Sequence, residues 1–323
     1  MKRSQAESNL DAIFLEFGKA IAAYRFDSNF SVTSFKEAHQ PLAEKVEKFK
    51  QFFDGHELKK NKAVFHQMWT AVLANDVRHS PPIYITVGAK GAKDEQILSA
   101  LIDNLNSQNL WLQVSAFESY EKFFKDFYGV LGYLDRNLWL CSDFGATSLN
   151  KLSEKPISWY QVQVRKTIGR HDIKQIIDRL RNALPVFADR ETCPDLNLKM
   201  WVGIAGAFRH RIVHSQASLP EVDVTGMLEK ASGESFTGTK KDVLKRKAMV
   251  APYLRFEDGV CHLEGIDRRQ LEPPYHFVNK PTTDLMDMLV SHAALVYSSA
   301  LMYFDKEPFW DRNKKALTNS SNR

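Results

Sequence analysis

The segment Phe208-Arg209-His210-Arg211-Ile212-Val213-His214 sets a guanidinium and two imidazoles at fixed spacing near the end of a helical stretch. Arginine stays cationic and grips phosphate through a planar fork, while histidine exchanges protons near neutral pH. Together they suit chemistry on a phosphodiester without a metal. Arg209 and His214 are five residues apart, so on a regular helix they leave the axis roughly 140° from one another and do not share a face. Convergence on one phosphate then requires a distorted helix end, or motifs supplied by two neighbouring chains. His210 and His214, at i and i+4, do share a face.

Other groups have weaker claims. His210 and His214 could ligate zinc with His292 or an Asp as third ligand, but zinc-protease spacing needs Glu where Arg211 stands, and a cation there opposes a metal. The site therefore has no expected metal, and no cofactor is expected. Gly88-Ala89-Lys90-Gly91 could offer backbone N–H groups to a phosphate, although it lacks P-loop spacing and also reads as a plain strand-to-helix turn. Glu118 and Glu121 are either carboxylate partners of the site or solvent-facing charge. His292, among Leu289, Leu295 and Val296, reads as a hydrogen-bonded core residue. Lys240, Lys241, Lys245, Arg246 and Lys247 form a basic cluster after the motif, suited to an RNA backbone or to a solvated face.

Helical periodicity supplies the elements that position these groups. Leu10, Ile13, Phe14, Phe17, Ile21 and Tyr24 define one amphipathic helix, and further helices are expected over 35–53 and 57–73. Ile83 to Val87 is a β-branched run bounded by Pro82 and Gly88, which predicts a short strand. A helix should follow from Asp94 to about Leu105. Trp111, Val114, Phe117, Tyr120, Phe124, Phe127 and Leu131 then predict an aromatic core helix. After a loop over 141–156, helices are expected over 157–168, 172–184 and, bearing the motif, 196–213. In that last helix Trp201, Ala205, Phe208 and Ile212 form the core stripe. Gly203, Gly206, Ala207, His210 and His214 form another face, whose small residues admit a close helix from the same chain or from another subunit. Residues 231–241 read as a loop, Tyr253–Phe256 and Val260–Leu263 as a β-hairpin through Asp258-Gly259, and 283–304 as the last helix.

Composition sets the outer bounds. The chain has 323 residues, 44% hydrophobic and 26% charged, as in ordinary globular proteins. A net charge of +5 and a pI near 8.9 permit a polyanionic partner without demanding one. Cys141, Cys193 and Cys261 form neither a CxxC pair nor a disulfide framework, which suits a reducing cytoplasm. Asp11, Glu16 and Lys19 interrupt the first apolar stretch, arguing against a signal peptide, and no membrane span is expected.

Arg209-His210-Arg211-Ile212-Val213-His214 resembles the signature of the HEPN superfamily: Arg, a polar residue, any three residues, then His. A looser pattern of Arg and a following His recurs at Arg165/His171, Arg255/His262 and Arg269/His276, but of these only Arg209 is followed by an Asn, His or Asp, here His210, with three residues before the final His. The resemblance covers about residues 108–305 and implies a mainly α fold: a HEPN-like helical bundle with a small β-hairpin insertion. An N-terminal helical region with one short strand (1–107) would precede it, and a flexible tail (306–323) would follow. It also implies metal-independent RNA cleavage by transesterification, giving 2′,3′-cyclic phosphate ends. His214 would serve as general base or acid, Arg209 would hold the phosphate, and His210 would orient either. Further implications are a homodimer with a composite site, a toxin or antiviral-defence setting, and a regulatory or antitoxin partner. The family also contains inactive nucleotide-binding and scaffold members, which is the alternative reading.

Overall fold

Leu10, Phe14, Phe17 and Ile21 recur at helical spacing and are buried on α1 (Lys2–Asp54). The structure, a computed structural model, describes residues 2–54, 68–76, 83–92, 94–167, 173–184, 197–271 and 278–311. α1 is one helix where the apolar pattern predicts two. The intervening stretch is held by polar groups instead. Ser28 Oγ donates to Asn109 Oδ1 at 2.6 Å, Asn279 Nδ2 donates to Ser28 Oγ at 2.7 Å, and Arg25 pairs with Asp287 at 2.7 Å. Ser28, Asn109 and Asn279 are buried and must be hydrogen-bonded, so their contacts fix helix register while leaving no hydrophobic signature, and the exposed Arg25–Asp287 pair adds little.

β1 (Met68–Asp76) and β2 (Ile83–Ala92) form an antiparallel pair. Residues 68–73 are therefore strand rather than helix, while 57–67 lie outside the described residues. The Gly88–Gly91 segment lies inside β2, where Thr70 pairs with Lys90 and Ala71 with Ala89. It belongs to a strand ladder and is not a phosphate loop or a strand-to-helix turn.

The two helices expected after β2 are a single element, α2 (Asp94–Leu134). The expected boundary at 107/108 falls within it. Phe17 of α1, Tyr120 and Phe124 of α2, and Val296 of α8 (Lys280–Tyr303) share one apolar cluster. Of the aromatic stripe read from the sequence, Val114, Phe117, Tyr120, Phe124, Phe127 and Leu131 are buried, and Trp111 is not.

Short 3-10 turns fill 136–154, after which α3 (Ile157–Thr167) and α4 (Ile173–Ala183) pack on α2. The motif helix α5 (Leu198–Ser215) leads into β3 (Ser218–Pro220), α6 (Glu221–Ser232) and α7 (Lys241–Val250). β4 (Leu254–Glu257) and β5 (Val260–Leu263) form the expected hairpin, and β3 adds to it in the order β3-β5-β4. The mainly α-helical class is thus the observed one. α6 and β3 had no sequence expectation, and the basic cluster lies mostly on a helix. Cys193, His171, His276 and the tail beyond 311 lie outside the described residues.

Among the described residues α8 is the one helix long and apolar enough to cross a membrane, which corrects the expectation that no segment approaches that length. More than half of its most apolar window is buried within the fold.

Gly203 makes the closest helix contact near the motif: a Cβ there would lie 2.0 Å from the Ala231 carbonyl oxygen of α6. Gly203→Ala should cost about 1–3 kcal/mol, as overpacking does. Gly226→Ala, in α6 with nothing within 4 Å, should instead add about 0.5–1 kcal/mol of stability. Urea melts of both variants check the pair.

Candidate functional site

α5 is tied down at both ends. At the start, the Asn197 side chain accepts from Met200 N at 2.9 Å and donates to Glu234 Oε1 at 3.1 Å. Trp201, Ala205, Phe208 and Ile212 are buried as the spacing predicts, and Tyr253 packs on Trp201 and Phe208 at 5.5 and 5.8 Å between ring centroids. The helix stays α-helical to Ser215 and stops because Gln216 and Ala217 adopt positive φ of 51° and 59°. Two consecutive non-glycine residues in that region are uncommon and costly. Hydrogen bonds hold them: Ala217 N donates to Arg211 O at 3.1 Å, and Leu263 N of β5 donates to Ala217 O at 2.7 Å.

Arg209 leaves α5 toward α2. Its Nη2 meets Glu118 Oε1 at 3.2 Å, so Glu118 is the carboxylate partner, whereas Glu121 pairs with Lys125 at 3.8 Å. The Arg209 side chain is 31% exposed and its buried Nε has no hydrogen-bond partner. His210 and His214 are exposed, their ring centroids 4.7 Å apart at 51°. The regular helix provides no distortion to swing Arg209 and His214 onto one face.

The small-residue face is divided. Gly203 lies against Ala231 of α6, and Gly206 lies so close to Phe117 of α2 that a Cβ would be 3.2 Å from its ring. Those contacts are within the chain, so the glycines supply no argument for a subunit interface. The two histidines on the same side remain exposed.

Lys240 caps α7, and Lys241, Lys245 and Lys247 are exposed along it. Arg246 has a structural attachment: Nε donates to Ser235 O at 3.0 Å and Nη1 lies 3.8 Å from Glu234. Glu234 in turn holds Asn197, the cap of α5. The Arg246 end of the cluster thus sits near the start of α5, roughly 18 Å along the axis from Arg209.

The rival constellations are occupied otherwise. His292 is fully buried and hydrogen-bonds the Tyr120 hydroxyl at 2.7 Å, as a core histidine, so it is not a third ligand beside His210 and His214. Among the described residues no three His, Cys, Asp or Glu side chains gather as a metal site. Arg255 and His262 are cross-strand neighbours on β4 and β5, with Arg255 Nε on Glu264 Oε1 at 2.7 Å. Arg165 is held by Asp126 at 2.5 Å. Burial pushes the Cys261 thiol up to about 11, which leaves it a poor nucleophile. Comparison with protein-family models, with curated proteins and with solved structures found no match.

Tyr120→Phe should remove the buried hydrogen bond between the Tyr120 hydroxyl and His292 Nδ1 and cost about 1–3 kcal/mol. Thermal or urea unfolding reads this, and a stability equal to wild type would contradict the structural role of His292.

Proposed function

We propose that the chain is a metal-independent endoribonuclease of HEPN type. The observation that carries this reading is the C-terminal half of α5. Two exposed imidazoles stand 4.7 Å apart beside a guanidinium half-sunk in the α2 seam, on a helix capped, packed and pinned at both ends. A mainly helical fold around a buried motif helix supports it. So does the departure of rival histidines into the core and the hairpin.

In the proposed reaction His214 takes the proton of a ribose 2′-hydroxyl, or protonates the leaving 5′-oxygen. Arg209 offers its guanidinium to the scissile phosphate and the charge developing on it. His210, its ring tilted 51° against that of His214, orients the phosphate or the second imidazole. Attack by the 2′-oxygen on phosphorus forms the cyclic phosphodiester as the 5′-oxygen leaves, so DNA is not a substrate.

Because α5 is regular through Ser215, Arg209 and His214 serve one phosphate only if two chains each contribute. A homodimer with its two histidine faces opposed is therefore part of the proposal. Lys240, Lys241, Lys245 and Lys247 extend the phosphate contacts, with Arg246 as their structural anchor. The proposed setting is cytoplasmic, in toxin or antiviral-defence systems, with a regulatory partner restraining the activity.

One observation favours a second reading. Glu118 already engages Arg209, and the motif stands unconverged in the single chain, which also suits a module that binds RNA without cutting it.

Purified protein incubated with mixed RNA in EDTA should yield 2′,3′-cyclic phosphate ends. His214→Ala and Arg209→Ala should each lower the rate by at least about 100-fold without changing the melting temperature. Wild-type activity in either variant would place the chemistry elsewhere. RNA retained intact by the wild-type protein would point to the binding module.

A further inference from the structure

We infer that the outward face of α1 is a docking surface for a second copy of this chain, the two helices packing antiparallel about position 28. Phe14, Phe17, Ile21, Ser28, Val32 and Phe35 turn one face of α1 to the core. Lys19, Ala23, Phe26, Phe30, Thr33 and Glu37 are all exposed. On a regular helix their mean direction lies roughly 170° from that of the buried stripe, so they face directly away from the fold. Phe26 and Phe30, 69% and 63% exposed, are the most exposed aromatic side chains among the described residues. A lone exposed apolar side chain is ordinary on a protein surface. Two phenylalanines one turn apart on the side opposite the core form a patch that association would remove from water.

The spacing of these six residues identifies the occupant. They recur at intervals of four, three, four, three and four, which is the period of a helix–helix seam. The series reads the same in both directions about position 28. A second α1 laid antiparallel across that point sets Phe26 of each copy against Phe30 of the other. It also sets Ala23 against Thr33, and Lys19 against Glu37. A two-fold interface requires this reciprocity, because one surface must complement itself. Thr33 Oγ1 donates to Asn29 O at 3.1 Å, so its hydroxyl is satisfied within the helix and its methyl is left for the seam.

Charge selects the orientation. Among the described residues neither Lys19 nor Glu37 forms an ion pair within the chain. Antiparallel packing gives each of them an opposite charge at the rim of the contact. Parallel packing would set lysine against lysine and glutamate against glutamate, and such like-charge contacts penalise the wrong arrangement. Aromatic side chains at the centre with charges at the edge also match the anatomy of protein interfaces. A partner of different sequence would not call for a palindrome, whereas a second copy does. The seam is on a different helix from His210 and His214, so the inference does not rest on the ribonuclease reading.

The test is sedimentation equilibrium of the full-length protein at micromolar concentration and low salt, with circular dichroism melts to confirm that the exposed substitutions leave the fold intact. Wild type should sediment as a dimer or a multiple of one. Phe26→Glu combined with Phe30→Glu should halve that mass. Lys19→Glu and Glu37→Lys should each weaken association roughly 10-fold, since every charge is met twice in the pair, and the two together should restore it. A monomeric wild type, or a mass that the phenylalanine variant leaves unchanged, would overturn the inference. Single reversals without effect, or a double reversal that fails to restore association, would overturn the antiparallel pairing and give the face to a different partner. Flotation of a monomeric wild type with phosphatidylglycerol vesicles, lost in the phenylalanine variant, would assign the face to a membrane instead. No RNA enters the experiment and the motif is untouched, so failure here leaves the ribonuclease reading standing.

Discussion

The placement of the motif depends on how closely α5 can approach its neighbours. With 2.0 Å between an imagined Cβ at position 203 and the Ala231 carbonyl oxygen, no side chain larger than hydrogen fits unless α6 moves. Gly206 makes the same allowance toward Phe117, with less severity. These two contacts let α5 sink between α2 and α6 far enough to bury Trp201, Phe208 and Ile212. The next turns of that side of the helix then emerge bearing His210 and His214. A helix held farther out would bury less of its stripe, and Arg209 would not reach Glu118.

Charge is distributed in keeping with that arrangement. Elsewhere the buried carboxylates are paired: Asp143 takes Arg179 at 2.6 Å with the Tyr128 hydroxyl at 2.8 Å, and Glu264 takes Arg255 and Arg268 at 2.7 and 3.0 Å. Removing one partner from such a pair leaves an uncompensated buried charge, so these ties hold the turns around 140 and the end of β5 in place. Arg209 differs. Its carboxylate, Glu118, is 54% exposed, and water screens the pair. That contact is cheap to exchange for a phosphate, and one guanidinium nitrogen is already without a partner in the chain.

Much of this was legible in the residues, and the failures have physical causes. The stripes of α5 and α8 and the aromatic run of α2 follow helical periodicity because they face one core, and the β4–β5 turn follows from Asp258-Gly259, both at positive φ. The apolar pattern divides α1 in two because its middle is tied through Ser28 and Asn29, and polar ties leave no apolar period. β1 escaped because Met68 to Asp76 has no strict alternation and gains its ladder only from β2. At the site, the shared face of His210 and His214 and the core role of His292 could be read directly. The partnership of Arg209 with Glu118 could be weighed but not chosen over Glu121, since it depends on how two helices distant in sequence align. Trp111 fits the core period, yet its side chain is half exposed while Leu110 and Val114 beside it on α2 are buried.

The regularity of α5 constrains any mechanism more tightly than the identity of its residues does. Helix geometry alone fixes about 140° between Arg209 and His214, and the cap formed by Gln216 and Ala217 begins only after Ser215. Fraying the last turn would have to break Ala217 from both Arg211 and Leu263, which connects to β5 and through it to α2. Moving His214 toward Arg209 within one chain therefore costs the end of the sheet as well as a turn of helix. Bringing a second α5 to the exposed histidines costs neither. On the proposed reading, the interactions that make the motif helix rigid are the ones that make the active unit a pair of chains.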